Sequence, residues 1–209
     1  MIDLVTLTTY AAIVLGFVFL PGPATLLTVA RATASGTRVG IATGTGIAVG
    51  DLLHTLLAAI GISAIIATSA VLFSIVKYLG AGYLLYLGIR ALFDTSDTSA
   101  SAPGPIHISS GTAFRQAILT EILNPKTALF FLAFLPQFVQ PQNGSVALQM
   151  ILLGVIYAVL GLIATIVFAV GASGLGRLIR RNPAVSRWQS KVVGSIYCTL
   201  GLRLALQER

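Results

Sequence analysis

Lys126 stands in "LNPKTALFFLAFLPQFV", an apolar stretch that gives an ammonium group no solvent. Counting from Arg115 at about 1.5 Å per helical residue puts it roughly 16 Å from that basic margin. In a hydrocarbon layer about 30 Å thick this is the middle, too deep for the side chain to snorkel to either surface. A charge there needs a partner or a cavity. Asp51, in "GIAVGDLLH", supplies a matching carboxylate about 20 Å in from Arg38. Two chemistries follow: an ion pair that makes both charges tolerable, and a carboxylate that exchanges a proton once desolvation favours its neutral form. His54 shares a helical face with Asp51, and Glu121 is a second carboxylate near Lys126, so Asp51, His54 and Glu121 form a candidate proton relay.

Helix breakers accompany these charges. "PGP" at Pro21, Gly22 and Pro23 interrupts one apolar run, and "NPK" at Asn124, Pro125 and Lys126 interrupts another. Proline removes a backbone donor and clashes with the carbonyl one turn back, so each motif should kink or break its helix. Pro21 lies about 15 Å from Arg31 by the same count, so both breaks fall near mid-membrane. Backbone freed there must face protein, water or a ligand, because lipid offers it no hydrogen bonds. Matched interruptions in two halves of a chain point to a transporter binding site. The plainer alternative is that the prolines only shape packing.

The elements that carry these residues are membrane helices. The chain of 209 residues is 56% hydrophobic and 9% charged, with a mean hydropathy of +0.93. Soluble domains carry about 25% charge, which excludes a water-soluble fold. The runs lack the alternation of barrel strands, so the expected fold is all-α and polytopic, with about six spans near residues 4–30, 40–66, 71–92, 116–138, 146–171 and 190–206. The start of the chain lacks the basic residue and cleavage pattern of a signal peptide, so the first span is expected to persist.

A polar Ser/Thr/Pro/Gly-rich stretch, Asp94 to Thr112, reads as a connection between two three-span halves. The expected organisation is one transporter domain over 1–209: a first half at 1–93, a cytoplasmic loop at 94–115 and a second half at 116–209. Three is odd, so the halves enter the membrane from opposite sides, as in a 3+3 inverted repeat with broken first and fourth helices. Arg31, Arg38, Arg90, Arg115, Arg177, Arg180, Arg181, Arg187 and Lys191 fall on one side, against Lys77, Arg203 and Arg209 on the other. The positive-inside rule then puts both termini outside the cytoplasm.

Gly40 and Gly44, and Gly46 and Gly50, give the second span two small faces for close helix contact. Such faces leave a homodimer open. Gly80, Gly82 and Gly88 with Tyr78, Tyr83 and Tyr86 give the third span a similar character. Trp188 reads as an interfacial anchor, and the lone Cys198 as a packing residue.

The basic balance, +7, is spread over span ends and forms no stripe for nucleic acid. No G-x-x-x-x-G-K-[ST] loop occurs, and His54 and His107 are the only histidines, so neither ATP binding by that loop nor a metal or other cofactor is expected. Energy for transport would come from an ion gradient. An intramembrane enzyme or a non-transporting assembly subunit is the rival class, but Asp51, His54 and Ser63 form no recognised catalytic arrangement.

"FVFLPGPATLLTVARATASGTRVGIATGTGIAVGDLLHTLLAAIG", "YLGAGYLLYLGIRAL" and "LNPKTALFFLAFLPQFV" together resemble the LysE/RhtB family of bacterial amino-acid exporters, in order and over nearly the whole chain. The resemblance implies a multi-pass inner-membrane exporter of amino acids or related metabolites, driven by the proton motive force. It puts Pro21, Gly22, Pro23, Gly50, Asp51, Asn124, Pro125 and Lys126 at the family's motif positions, as candidates for binding substrate or ion. Glu121 falls where the family varies.

Overall fold

Proline decides where two membrane-crossing segments stop being single helices. In the computed structural model of the chain, which describes residues 2–19, 22–68, 70–93, 108–181 and isolated positions between 191 and 206, the first run is split into α1 (Leu4–Phe19) and α2 (Pro23–Ser35). Their axes differ by 51°. Pro21 lies outside the described residues; Gly22 is extended (φ −114°, ψ −173°) and Pro23 opens α2. Proline suits that position because its missing N–H is one that a first helical turn leaves unpaired anyway. The fourth run divides in the same way into α5 (Ser110–Ile122) and α6 (Pro125–Leu129), bent by 48°, with Asn124 and Pro125 at the break. Beyond α6 the chain continues as a π-helical turn, Phe130–Phe134, and a 3-10 turn, Leu135–Phe138.

The second, third and fifth runs are unbroken: α3 (Thr37–Thr68), α4 (Ala70–Phe93) and α7 (Val146–Arg181). α2 and α3 are joined at Gly36, whose φ of +95° is a conformation that glycine tolerates and L side chains resist. α5 starts ahead of its apolar run because the Ser109 side chain accepts from the Thr112 amide and caps it. α7 continues past the apolar run into the basic segment that ends at Arg181. Among the described residues, Thr37–Gly61 and Val146–Ala172 are long and apolar enough to cross a bilayer unbroken, and each bent pair qualifies as one broken span. The 24 residues of α4 also have the length of a span. The chain is thus an all-helical polytopic membrane protein. The expected span at 190–206 falls largely outside the described residues, as do Trp188 and residues 94–107 of the polar connection. Gly201 is among the described positions, and it packs against Ala81 and Leu85 of α4.

α3 is the central element, flanked by α7 and α5, and its two glycine faces meet different neighbours. A Cβ at Gly40 would lie 2.5 Å from that of Ala32 on α2 and 3.1 Å from that of Ala169 on α7, and one at Gly44 would strike Thr165. Gly46 and Gly50 face α5 instead, at Ala117 and Glu121. The small faces therefore pack helices within one chain. A second layer of packing is aromatic: Phe130 lies 4.7 Å from Tyr157, 4.8 Å from Phe17 and 5.2 Å from Phe134 between ring centroids. Tyr10 joins this cluster, and its hydroxyl donates to the Leu153 carbonyl at 3.0 Å.

Polar contacts at opposite ends of the bundle fix which ends lie together. Arg31, near the end of α2, donates to the Ala113 carbonyl (2.7 Å) and to Gln116 Oε1 (2.8 Å) at the start of α5. Asp3 and Thr6, at the start of α1, bind Gln140 in the segment that leads to α7. Each broken pair thus crosses between these two ends, in opposite directions.

Candidate functional site

The two breaks are finished differently, and the difference comes from one residue type. Asn124 caps α6 with its own side chain, Oδ1 accepting from the Lys126 amide at 3.1 Å. At the matching position of α2 stands Gly22, and no side chain caps that helix. Pro23 has no amide hydrogen to offer, so the Ala24 and Thr25 amides open the helix with no acceptor inside it. A helix start of this kind carries a partial positive charge and favours an anion.

Lys126 connects the breaks. Its backbone belongs to α6, yet its Nζ reaches to 3.0 Å from where a Cβ would stand on Gly22, and it lies 4.2 Å from the centre of the Phe17 ring. A side chain at position 22 would crowd the ammonium, which would have to shift by a few tenths of an ångström. The face of Phe17 attracts the cation and helps hold it in place.

Glu121, in the last turn of α5, is 2% exposed, and both of its carboxylate oxygens accept hydrogen bonds. Asn124 Nδ2 donates to both of its carboxylate oxygens, at 3.2 and 3.3 Å, and Thr127 Oγ1 donates to Oε1. His54 Nε2 donates to its backbone carbonyl at 3.0 Å, while the imidazole stacks on Phe131. Gly50 lies against the Glu121 side chain, where a Cβ would come within 2.6 Å. Together these contacts tie α3, α5 and α6 at the second break.

Asp51 is also 2% exposed but differs in kind, because its Oδ1 is buried with no hydrogen-bond partner among the described residues. Its Oδ2 faces Gly161 of α7, 3.5 Å from that residue's Cβ position. A buried carboxylate oxygen without a donor is costly, so it marks a place for a cation or a proton. Asp51, Glu121, Lys126 and the start of α2 line one cavity, closed further by Phe17 and Tyr157. The three charged groups lie within electrostatic reach of one another.

Of the residues singled out from the sequence, Gly22, Pro23, Asp51, Glu121, Asn124 and Lys126 meet at this cavity. Gly50 and His54 touch Glu121 from behind, and Pro21 falls outside the described residues. Tyr78 and Tyr86 of α4 are more than half exposed and do not line the cavity. Thr25, Thr127, Tyr157, Gly161 and Thr165 line it without having been anticipated. Only Thr127 carried a signal, as the residue directly after "NPK"; the others look like ordinary members of apolar helices. No group of His, Cys, Asp and Glu among the described residues has the arrangement of a metal site.

Two broken helices bring an uncapped helix start, a lysine and a buried carboxylate to one half-open cavity inside an all-helical membrane protein, an arrangement that suits a translocator. The chain belongs to the LysE type translocator family, which matches residues 15–208. It is 32% identical to the uncharacterized membrane protein YrhP of Bacillus subtilis, over 96% of this chain and 99% of that one. An uncharacterized membrane protein of Vibrio cholerae is 31% identical over 90% and 91% of the two chains. The leucine efflux protein of Salmonella typhimurium is 36% identical over 63% of this chain and 62% of its own. No solved structure matches.

Proposed function

We propose that the protein exports an amino acid or a closely related metabolite across the inner membrane, in exchange for protons. The observation that carries this reading is the pairing, in one cavity, of an anion site with an orphaned carboxylate. The Ala24 and Thr25 amides and Lys126 Nζ would hold the substrate carboxylate, and the Asp51 carboxylate would receive the ammonium group. A zwitterion satisfies both ends at once. When the substrate leaves, the Asp51 carboxylate is again buried without a donor, and a proton is the smallest cation that relieves it. Substrate and proton would thus alternate on Asp51, which couples export to proton entry.

Glu121, with its oxygens already engaged, would hold the second break in shape, and His54 would support it through the backbone. The first and fourth spans, broken at matching depth and running in opposite directions, would be the paired helices of an inverted repeat that rocks around this site. The family membership and the resemblance to an efflux protein named for leucine support the direction and the substrate class. By the distribution of basic residues, both termini would lie outside the cytoplasm.

The test is counterflow of labelled amino acids in proteoliposomes, with and without an imposed pH gradient. Exchange should be lost in Lys126→Ala, and Asp51→Asn should uncouple whatever exchange survives from the pH gradient. Transport unchanged in the double variant would sink the mechanism.

A further inference from the structure

We propose that Phe17 is a positioning residue that joins the Lys126 ammonium to the aromatic packing between the cavity and the Asp3 end of the bundle. This rests on the export reading and specifies how occupancy of that site would open the exit. Phe17 and Tyr157 line the cavity. Phe130 packs against both, with ring centroids 4.8 and 4.7 Å away. Phe134, 5.2 Å from Phe130, continues the stack to Phe138, which is 5.3 Å farther on and 5.1 Å from Tyr10. Two residues beyond Phe138, Gln140 binds Asp3. Rings from the first, fourth and fifth spans thus fill the way from the cavity to that end, and Tyr10, Phe17 and Phe130 are fully buried. By the distribution of basic residues this would be the non-cytoplasmic end, where export must release its substrate.

The backbone of the fourth span suits it to parting the stack. Phe130–Phe134 is a π-helical turn and Leu135–Phe138 a 3-10 turn, so three of the rings sit where this span departs from regular α-helix. Such departures inside helices gather at functional sites and hinges. Phe17, in the last turn of α1, packs against this segment from the first span. Its ring also faces Lys126 Nζ, 4.2 Å from the centroid and well inside the roughly 6 Å reach of a cation–π contact. One ring therefore serves both the stack and the ammonium. A ring quadrupole attracts a cation less strongly than a full negative charge does, so a substrate carboxylate at the start of α2 would draw the ammonium off the ring. Phe17 then loses the contact that seats it, and α1 is released from the segment carrying Phe130. While the site is empty, Lys126 keeps Phe17 seated and the stack shut.

The thiol of Val14→Cys, in a chain that also carries Cys198→Ser, reports on the stack, because Val14 is fully buried in the same cluster one turn before Phe17. Leu153→Cys, buried in that cluster on α7, gives a second reporter if the first does not fold. The rate of reaction with a charged thiosulfonate measures how often water reaches the thiol. With no amino acid present, the reporter should react slowly. Mono-, di- and trifluorinated phenylalanine at position 17 weaken the ring face stepwise at nearly constant size. The reaction should quicken in the same steps, to about tenfold with three fluorines, the scale of a desolvated cation–π contact. In Lys126→Met it should be fast from the outset and flat across the fluorine series. A rate that ignores fluorination, or that rises equally with fluorination in Lys126→Met, would overturn the coupling, because a ring that only fills space needs no cation. Counterflow of a full panel of labelled amino acids by the parent protein tests the export reading separately. Exchange by the parent alongside an unresponsive thiol removes the coupling and leaves export standing. No exchange of any amino acid would reject export, and this inference with it.

Discussion

Two acidic residues with the same burial, Asp51 and Glu121, are separated by their hydrogen bonding. Glu121 accepts from Asn124 and Thr127, whereas Asp51 Oδ1 accepts from nothing described. Glu121→Gln would keep Oε1 for Thr127 and Asn124 but set an amide NH2 against Asn124 Nδ2 in place of Oε2, and would remove the charge that strengthens these bonds. The expected cost is about 1–3 kcal/mol, seen as a lower melting temperature in detergent, with Thr127→Val giving a smaller loss. If Glu121 were instead a transport ligand, the glutamine variant would keep its melting temperature and lose only exchange. The sequence made Asp51 and Lys126 legible because charge is rare in apolar helices, and depth counted from Arg38 and Arg115 puts both inside the layer. The family resemblance already put Asp51 ahead of Glu121, but the physical difference between them, what Asn124 and Thr127 bind, was not legible. Gly161 was silent for a related reason: a glycine in a membrane helix is unremarkable until its neighbours are known.

At the level of elements, the breaks were legible and their inequality was not. Proline marks a break in any context, whereas the capping of α6 by Asn124 and the bare start of α2 at Gly22 emerge only when each side chain is placed. The paired glycines of α3 likewise announced close contact, but not that Gly40 and Gly44 would meet α2 and α7 while Gly46 and Gly50 met α5. This arrangement predicts a graded response to added methyl groups. Gly50→Ala places a Cβ 2.6 Å from that of Glu121, so α3 and α5 must separate, at about 1–3 kcal/mol. Gly61→Ala, with no described atom within 4 Å, should be neutral or stabilising by about 0.5–1 kcal/mol through helix propensity. Thermal unfolding of the two variants in one detergent compares them directly. Equal effects would show that α3 does not depend on close approach at Gly50.

For the whole molecule, the proposed alternating access requires that contacts joining the halves at one end be broken and remade, and among the described residues a polar network of this kind lies at the start of α1. Asp3 caps α1 by accepting from the Thr6 amide and hydroxyl, each at 2.8 Å, and it also accepts from Gln140 Nε2. Gln149 at the start of α7 binds the backbone of Gln140 from both sides, donating to its carbonyl and accepting from its amide, each at 2.9 Å. One network thus fastens the first span to the segment between the fourth and fifth. The hydrogen bonds from Thr6 and Gln140 lower the Asp3 pKa from 3.8 to about 2. A carboxyl whose folded pKa is depressed contributes stability that is complete above its unfolded value and is lost as pH falls through the folded one. The contribution should therefore be full above about pH 4 and fade toward pH 2. Asp3→Asn removes the titration, so the gap in melting temperature between parent and variant should be open at pH 5 and close as pH approaches 2. Subtracting the variant cancels the other carboxyl groups, which titrate in both proteins. A gap that stays constant across this window would mean that the Asp3 charge does not hold this end of the bundle together.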